Sequence, residues 1–84
     1  MSKQTVCMPP PETDPRLAAV LRRLRTEREL SQERLAVAAG ITAGTINSIE
    51  RGSRGPTWVT VCKLAEALGI TLRELGRLVE AEGK

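Results

Sequence analysis

Three short polar side chains followed by two arginines form the part of this chain best suited to binding chemistry. Thr45 and Ser48 carry hydroxyl groups, and Asn47 carries an amide that both donates and accepts hydrogen bonds. Such groups can read base edges in a DNA groove: an asparagine can pair with adenine through two hydrogen bonds, and a threonine methyl can contact thymine. Arg51 and Arg54 follow closely. We expect both to clamp backbone phosphates, with solvated loop charges as the alternative.

Two short helical patterns position these groups, and a glycine, Gly40, lies in the connection between them. Gly40 suits the left-handed backbone that ends a helix, and Thr42 can cap the next helix two residues later. The second helix turns short, uncharged side chains outward: Ala43, Gly44, Thr45, Asn47 and Ser48. Inward-facing apolar residues give the two helices one small core, and these are Leu35, Ala36, Ala39, Ile41, Ile46 and Ile49. The layout predicts a helix that enters the major groove of DNA.

The rest of the chain also predicts helices with short connections. A serine, threonine or aspartate precedes each helical pattern, as expected of an N-cap. We expect five helices, at about residues 15–28, 32–39, 43–51, 58–68 and 72–81. The predicted fold class is therefore all-α, a compact five-helix bundle over residues 14–82. Residues 1–13 contain three consecutive prolines and no periodicity, and we expect them to form a flexible N-terminal arm.

The helical pair within residues 31–54 resembles the helix-turn-helix of the phage repressor and Cro family, often called the XRE family. Its sequence is SQERLAVAAGITAGTINSIERGSR. Upstream, the family's first helix is matched by LRRLRTEREL; downstream, its fourth helix and the start of its fifth are matched by PTWVTVCKLAEALGITLREL. The resemblance covers about residues 16–75. It implies a repressor-like five-helix bundle that binds double-stranded DNA.

The resemblance also implies roles for particular residues. Gln32, in the first turn of the second helix, would contact the DNA backbone, where free N–H groups also favour a phosphate. Arg25 and Glu50 resemble the family's internal ion pair. Many relatives carry long polar side chains where this sequence has Ala43 and Gly44, so the prediction places base reading on Thr45, Asn47 and Ser48. Gly44 would let the helix approach DNA closely, or is simply a tolerated surface glycine.

Positive charge is concentrated in the segment that carries the motif. The 84-residue chain has a net charge of +3, from 13 lysines and arginines against 10 acidic residues. Between Pro15 and Gly55 there are eight arginines and four glutamates, so this segment alone carries +4. Such clustering favours a phosphate-binding surface that includes Arg22, with a solvated basic face as the alternative.

Several apolar residues near the C-terminus exceed what one small core needs. We expect a homodimer interface formed by Trp58, Val59, Leu75, Leu78 and Val79. Intramolecular packing is the alternative, above all for Leu75 and Val79. A two-fold dimer predicts a palindromic operator whose half-sites lie about one helical turn apart, roughly 10 base pairs.

Catalytic and metal-dependent functions are not supported by the residue types present. The chain has no histidine, and its two cysteines, Cys7 and Cys62, lie in unrelated contexts. We therefore expect no enzyme activity, cofactor, zinc site or disulfide. No apolar run is long enough for a membrane span or a signal peptide, which predicts a cytoplasmic protein.

The composition leaves two classes of function open. The first is a small dimeric transcriptional regulator that binds a specific DNA sequence. The second is a protein-interaction module, such as an antitoxin that neutralises a partner protein with its arm. Salt-dependent binding to duplex DNA without any partner would separate them.

Overall fold

A computed structural model describes residues 14–82 as five helices joined by short connections; the predicted arm, residues 1–13, lies outside the described range. The helices are α1 (Pro15–Glu27), α2 (Gln32–Ala39), α3 (Ala43–Arg51), α4 (Trp58–Leu68) and α5 (Leu72–Glu82). Within this range there is no β-strand. The predicted all-α class is confirmed, and each helix end falls within one residue of its expected position.

Hydroxyl and carboxylate caps explain why the helices begin where they do. The Ser31 hydroxyl accepts a hydrogen bond from the Arg34 N–H at 3.0 Å, and the Thr42 hydroxyl accepts one from the Thr45 N–H at 3.1 Å. Asp14, Thr57 and Thr71 make equivalent bonds at α1, α4 and α5. Each cap satisfies a backbone donor that the helix leaves unpaired, which contributes about 1 kcal/mol.

The core is aliphatic and contains residues from all five helices. Val20, Leu35, Ile49 and Leu64 are its most completely buried large side chains. α2 packs against α3 and α4, and α1 packs against α3 and α5. α3 is therefore held on its inner side by two helices, which leaves its opposite side as an outer surface of the bundle.

Arg28 joins the C-terminal ends of two helices. Its Nε donates to the backbone carbonyl of Leu68, at the end of α4, at 2.9 Å, and an Nη atom donates to the carbonyl of Leu24 in α1 at 3.2 Å. Carbonyls in the last turn of a helix carry partial negative charge, which favours a cationic partner. The guanidinium therefore stabilises α1 and α4 together, a role that the sequence pattern does not predict.

Glu29, between α1 and α2, has a backbone φ of 55°, in the left-handed region that glycine adopts most easily. We expect Glu29→Gly to raise the free energy of unfolding by roughly 0.5–1 kcal/mol, because relief of this strain exceeds the added entropy of the unfolded chain. Urea denaturation measures the change. Glu33→Gly, the same substitution inside α2, is the control and should destabilise the domain. A loss of stability in both variants would contradict the prediction.

Candidate nucleic-acid interface

The outer surface of α3 carries fewer free polar groups than the sequence predicts. Ser48 is half-buried, and the Thr45 hydroxyl lies 2.9 Å from the Thr42 hydroxyl, so the two bond to each other. Ala43 is partly buried against the core, so only part of its side chain lies on the outward face. Gly44 is exposed, and a Cβ built there would meet nothing closer than the Thr42 hydroxyl at 3.9 Å. The domain itself therefore does not require glycine at position 44.

A mostly buried ion pair joins Arg25 of α1 to Glu50 of α3. Arg25 Nε donates to Glu50 Oε2 at 2.7 Å, and an Nη atom of Arg25 donates to Glu50 Oε1 at 3.0 Å. The side chains are 13% and 5% exposed, so most of the pair is removed from water. The hydrogen bonds with Glu50 raise the pKa of Arg25 above its ordinary value. The pair that the sequence predicts therefore joins α1 firmly to the end of α3.

Gln32 extends this ion pair towards the outer surface of α3. Its Nε2 donates to Glu50 Oε1 at 3.2 Å and to Asn47 Oδ1 at 3.5 Å. The side chain is half-buried, and it connects the first turn of α2 to the polar side of α3. Sequence reasoning predicts a phosphate contact for Gln32 but does not predict this link to Asn47.

The arginines of the basic segment differ in the contacts that they make within the domain. Arg16, Arg23, Arg25 and Arg28 all form hydrogen bonds within the domain, to Asp14, Glu82, Glu50 and the Leu68 carbonyl respectively. The guanidinium groups of Arg22, Arg34 and Arg51 form no ion pair or hydrogen bond with any residue in the range 14–82. Arg54 is exposed in the loop after α3. Fewer arginines are therefore available to bind an anion than the eight in the sequence suggest.

Two of these unpaired arginines, Arg22 and Arg51, border the same cavity beside the polar side of α3. The cavity has a volume of about 210 Å³. Its lining comprises Arg22, Arg25, Gln32, Asn47, Glu50 and Arg51. Arg25 already neutralises the Glu50 carboxylate, so the charges of Arg22 and Arg51 remain uncompensated there. This chemistry suits a phosphate group.

The predicted dimer residues fall into an exposed and a buried set. Trp58 and Val59 are 68% and 59% exposed at the start of α4, and Leu72, which sequence reasoning did not include, is exposed beside them. A groove of about 560 Å³ is lined by these three residues and by Cys62, Lys63, Ala65, Glu66 and Ile70.

The α5 members of that predicted interface lie mostly inside the monomer. Leu75 is only 3% exposed and belongs to the core, so its predicted place in the interface is wrong. Leu78 and Val79 are partly buried against the core. The hydrophobic stripe of α5 therefore serves intramolecular packing first, and the exposed apolar surface is centred on α4.

Neither a membrane segment nor a metal cluster is found among residues 14–82. No helix in this range is long and apolar enough to cross a membrane. Its cysteine, aspartate and glutamate side chains form no group of three that could hold a metal ion. Cys62, half-buried on α4, carries a free thiol.

Two short helices with a common core, a polar outer surface on the second and unpaired arginines beside it define a helix-turn-helix domain. The chain belongs to this family: the model of the family described as "Helix-turn-helix domain" matches residues 16–79.

Relatives of known name agree with this assignment. The chain is 43% identical over 53 residues to the uncharacterized HTH-type transcriptional regulator y4dJ of Sinorhizobium fredii, an alignment covering 63% of this chain and 69% of the relative. It is 51% identical over 51 residues to the HTH-type transcriptional repressor RghR of Bacillus subtilis, covering 60% of this chain and 38% of that protein. The match therefore spans well under half of RghR.

A solved structure shows the same architecture. The restriction-modification controller protein C.AhdI of Aeromonas hydrophila superposes with a TM-score of 0.70 at 43% sequence identity. The superposition covers 73% of this chain and 92% of C.AhdI. The repressor-like arrangement of five helices is thus confirmed.

Proposed function

We propose that this protein is a transcriptional regulator that binds a specific sequence of double-stranded DNA. α3 enters the major groove, and the domain rests on the phosphates that border it. The observation that carries the proposal is the pair of uncompensated arginines, Arg22 and Arg51, beside the outer surface of α3. The names of the relatives, a regulator and a repressor among them, support the same function.

The contacts divide between backbone and bases. Arg22, Arg51 and Arg54 position the domain on phosphates. Gln32 does so through its backbone N–H in the first turn of α2, because its side-chain amide donates to Glu50 and Asn47. Asn47 and Ser48 read base edges, and Gly44 lets the backbone of α3 approach the groove closely. Thr45 contributes its methyl group to a thymine, because its hydroxyl is bonded to Thr42.

The regulator acts as a two-fold homodimer in the cytoplasm, on a palindromic operator, and without enzyme activity. The exposed apolar surface around Trp58 and Val59 supports dimerisation, since a monomer would leave it in water. Two copies of one domain read two half-sites, which supplies the selectivity that a single α3 helix lacks.

Binding to duplex DNA as a function of salt concentration tests this proposal. We expect Arg51→Gln and Arg22→Gln each to weaken binding to all duplexes alike, and to flatten the salt dependence by about one unit per lost phosphate contact. Fluorescence anisotropy with a labelled duplex measures both quantities. Arg54→Gln should behave in the same way.

Arg73→Gln is the matched control, because it removes the same charge from an exposed position on α5. Its salt slope should equal that of the parent protein. Unchanged slopes in the Arg22 and Arg51 variants would remove both residues from the phosphates. Absence of any salt-dependent binding by the parent would favour the antitoxin-like module instead.

A further inference from the structure

Gln32 stands between the buried ion pair and the polar side of α3, and its amide can face only one way. Glu50 Oε1, 3.2 Å away, belongs to a carboxylate that is ion-paired with Arg25, and a carboxylate only accepts hydrogen bonds. The NH₂ end of Gln32 must therefore point at Glu50. The same NH₂ group also lies 3.5 Å from the Asn47 side chain.

This arrangement fixes the orientation of the Asn47 amide in turn. An NH₂ group attracts an amide oxygen and repels another NH₂ group, so Asn47 directs Oδ1 towards Gln32. The bond is long for an N–H···O contact, so it selects an orientation rather than holding the side chain rigidly. Asn47 Nδ2 then points away from Gln32 and carries two N–H donors.

We infer that Gln32 is a positioning residue that makes Asn47 a hydrogen-bond donor to DNA, so that Asn47 prefers guanine to adenine. This inference rests on the proposed function. The bidentate pair with adenine needs both amide ends, because adenine offers one acceptor, N7, and one donor, its N6 amino group. Guanine offers two acceptors, N7 and O6, in the same groove. With Oδ1 turned inward, Asn47 matches guanine, and the adenine pair expected from sequence is disfavoured.

Selection of binding sites from a random duplex library tests this inference with the full-length protein. The parent and Asn47→Ala are compared first, since the base position whose preference disappears in Asn47→Ala is the one that Asn47 reads. Gln32→Met is then selected in the same way, because methionine has a similar length but no polar group to orient Asn47. Glu33→Met is the matched control, at the neighbouring exposed position of α2.

At the position read by Asn47, we expect the parent and Glu33→Met to prefer guanine. Gln32→Met should shift the ratio of guanine to adenine towards adenine by roughly threefold to tenfold, about the worth of one hydrogen bond. A merely structural role for Gln32 would lower affinity at every position and leave this ratio unchanged.

Three results would overturn the inference while leaving the proposed function intact. The parent could prefer adenine at the position read by Asn47, or Gln32→Met could leave the ratio of guanine to adenine unchanged. In the third, Asn47→Ala keeps the parent's base preference at every position of the site. Failure of the parent to enrich any sequence would instead defeat the proposed function itself.

Discussion

Arg25→Met is expected to lower the free energy of unfolding by about 3–5 kcal/mol, because it leaves the Glu50 carboxylate buried without its counter-ion. Glu50 is 5% exposed, and Arg25 supplies two of its hydrogen bonds. A domain of this size has a total stability of roughly 4–10 kcal/mol. The single variant should therefore lose much of its cooperative unfolding transition, measured by urea denaturation and far-ultraviolet circular dichroism.

Two further variants separate the buried charge from simple loss of a side chain. The double variant Arg25→Met, Glu50→Met removes both charges and should recover most of the stability. Arg23→Met breaks the exposed ion pair with Glu82 and should cost no more than about 1 kcal/mol. If Arg25→Met lowers the free energy of unfolding as little as Arg23→Met does, then the prediction that burial of the Arg25–Glu50 pair makes it important for stability is wrong.

The helices of this fold follow from local sequence signals. Ser31 and Thr42 make the cap bonds that their positions predict, and Gly40 adopts the left-handed backbone expected after α2. Gly52 adopts the same backbone after α3. These signals act within one helical turn, so the sequence alone specifies where each helix begins and ends. The same holds for the apolar spacing that buries Leu35 and Ile49.

The partners of the charged side chains could not be predicted in the same way. Arg28 and Arg51 look alike as members of a basic segment, yet Arg28 bonds to the carbonyl of Leu68, forty residues away, and Arg51 bonds to no described residue. Such contacts depend on how the helices cross, which local periodicity does not encode. The link from Gln32 to Asn47 is of the same kind, because it joins two helices across the turn.

The sequence also predicts only in part how the hydrophobic stripe of α5 is buried. Periodicity predicts that one side of the helix is buried, but it does not say whether the monomer or a second copy buries it. The structure assigns Leu75 to the monomer and leaves Trp58, Val59 and Leu72 exposed. The exposed apolar surface is therefore the better guide to an interface, and a substitution that tests the interface belongs on α4.

Val59→Glu is expected to convert a homodimer into a folded monomer and to weaken operator binding by about a hundredfold or more. Val59 is 59% exposed, so the substitution disturbs little of the core. It also lies in the first turn of α4, where a negative charge is favourable for the helix. In a dimer, the charge of the glutamate would have to be taken out of water at an apolar interface, and this cost would separate the two copies. Loss of the second half-site removes the avidity that two linked domains provide.

Sedimentation velocity at micromolar concentration measures the assembly directly, and the fluorescence of Trp58, the chain's single tryptophan, reports on the same surface. Its emission should shift to shorter wavelength as the parent protein is concentrated, because a 68% exposed indole becomes covered. Val37→Glu is the matched control: it makes the same change at an 82% exposed valine on α2 and should remain dimeric. A parent protein that sediments as a monomer, with and without operator DNA, would exclude this interface, and the surface formed by α3, Arg22 and Arg51 would then have to bind DNA as a single copy.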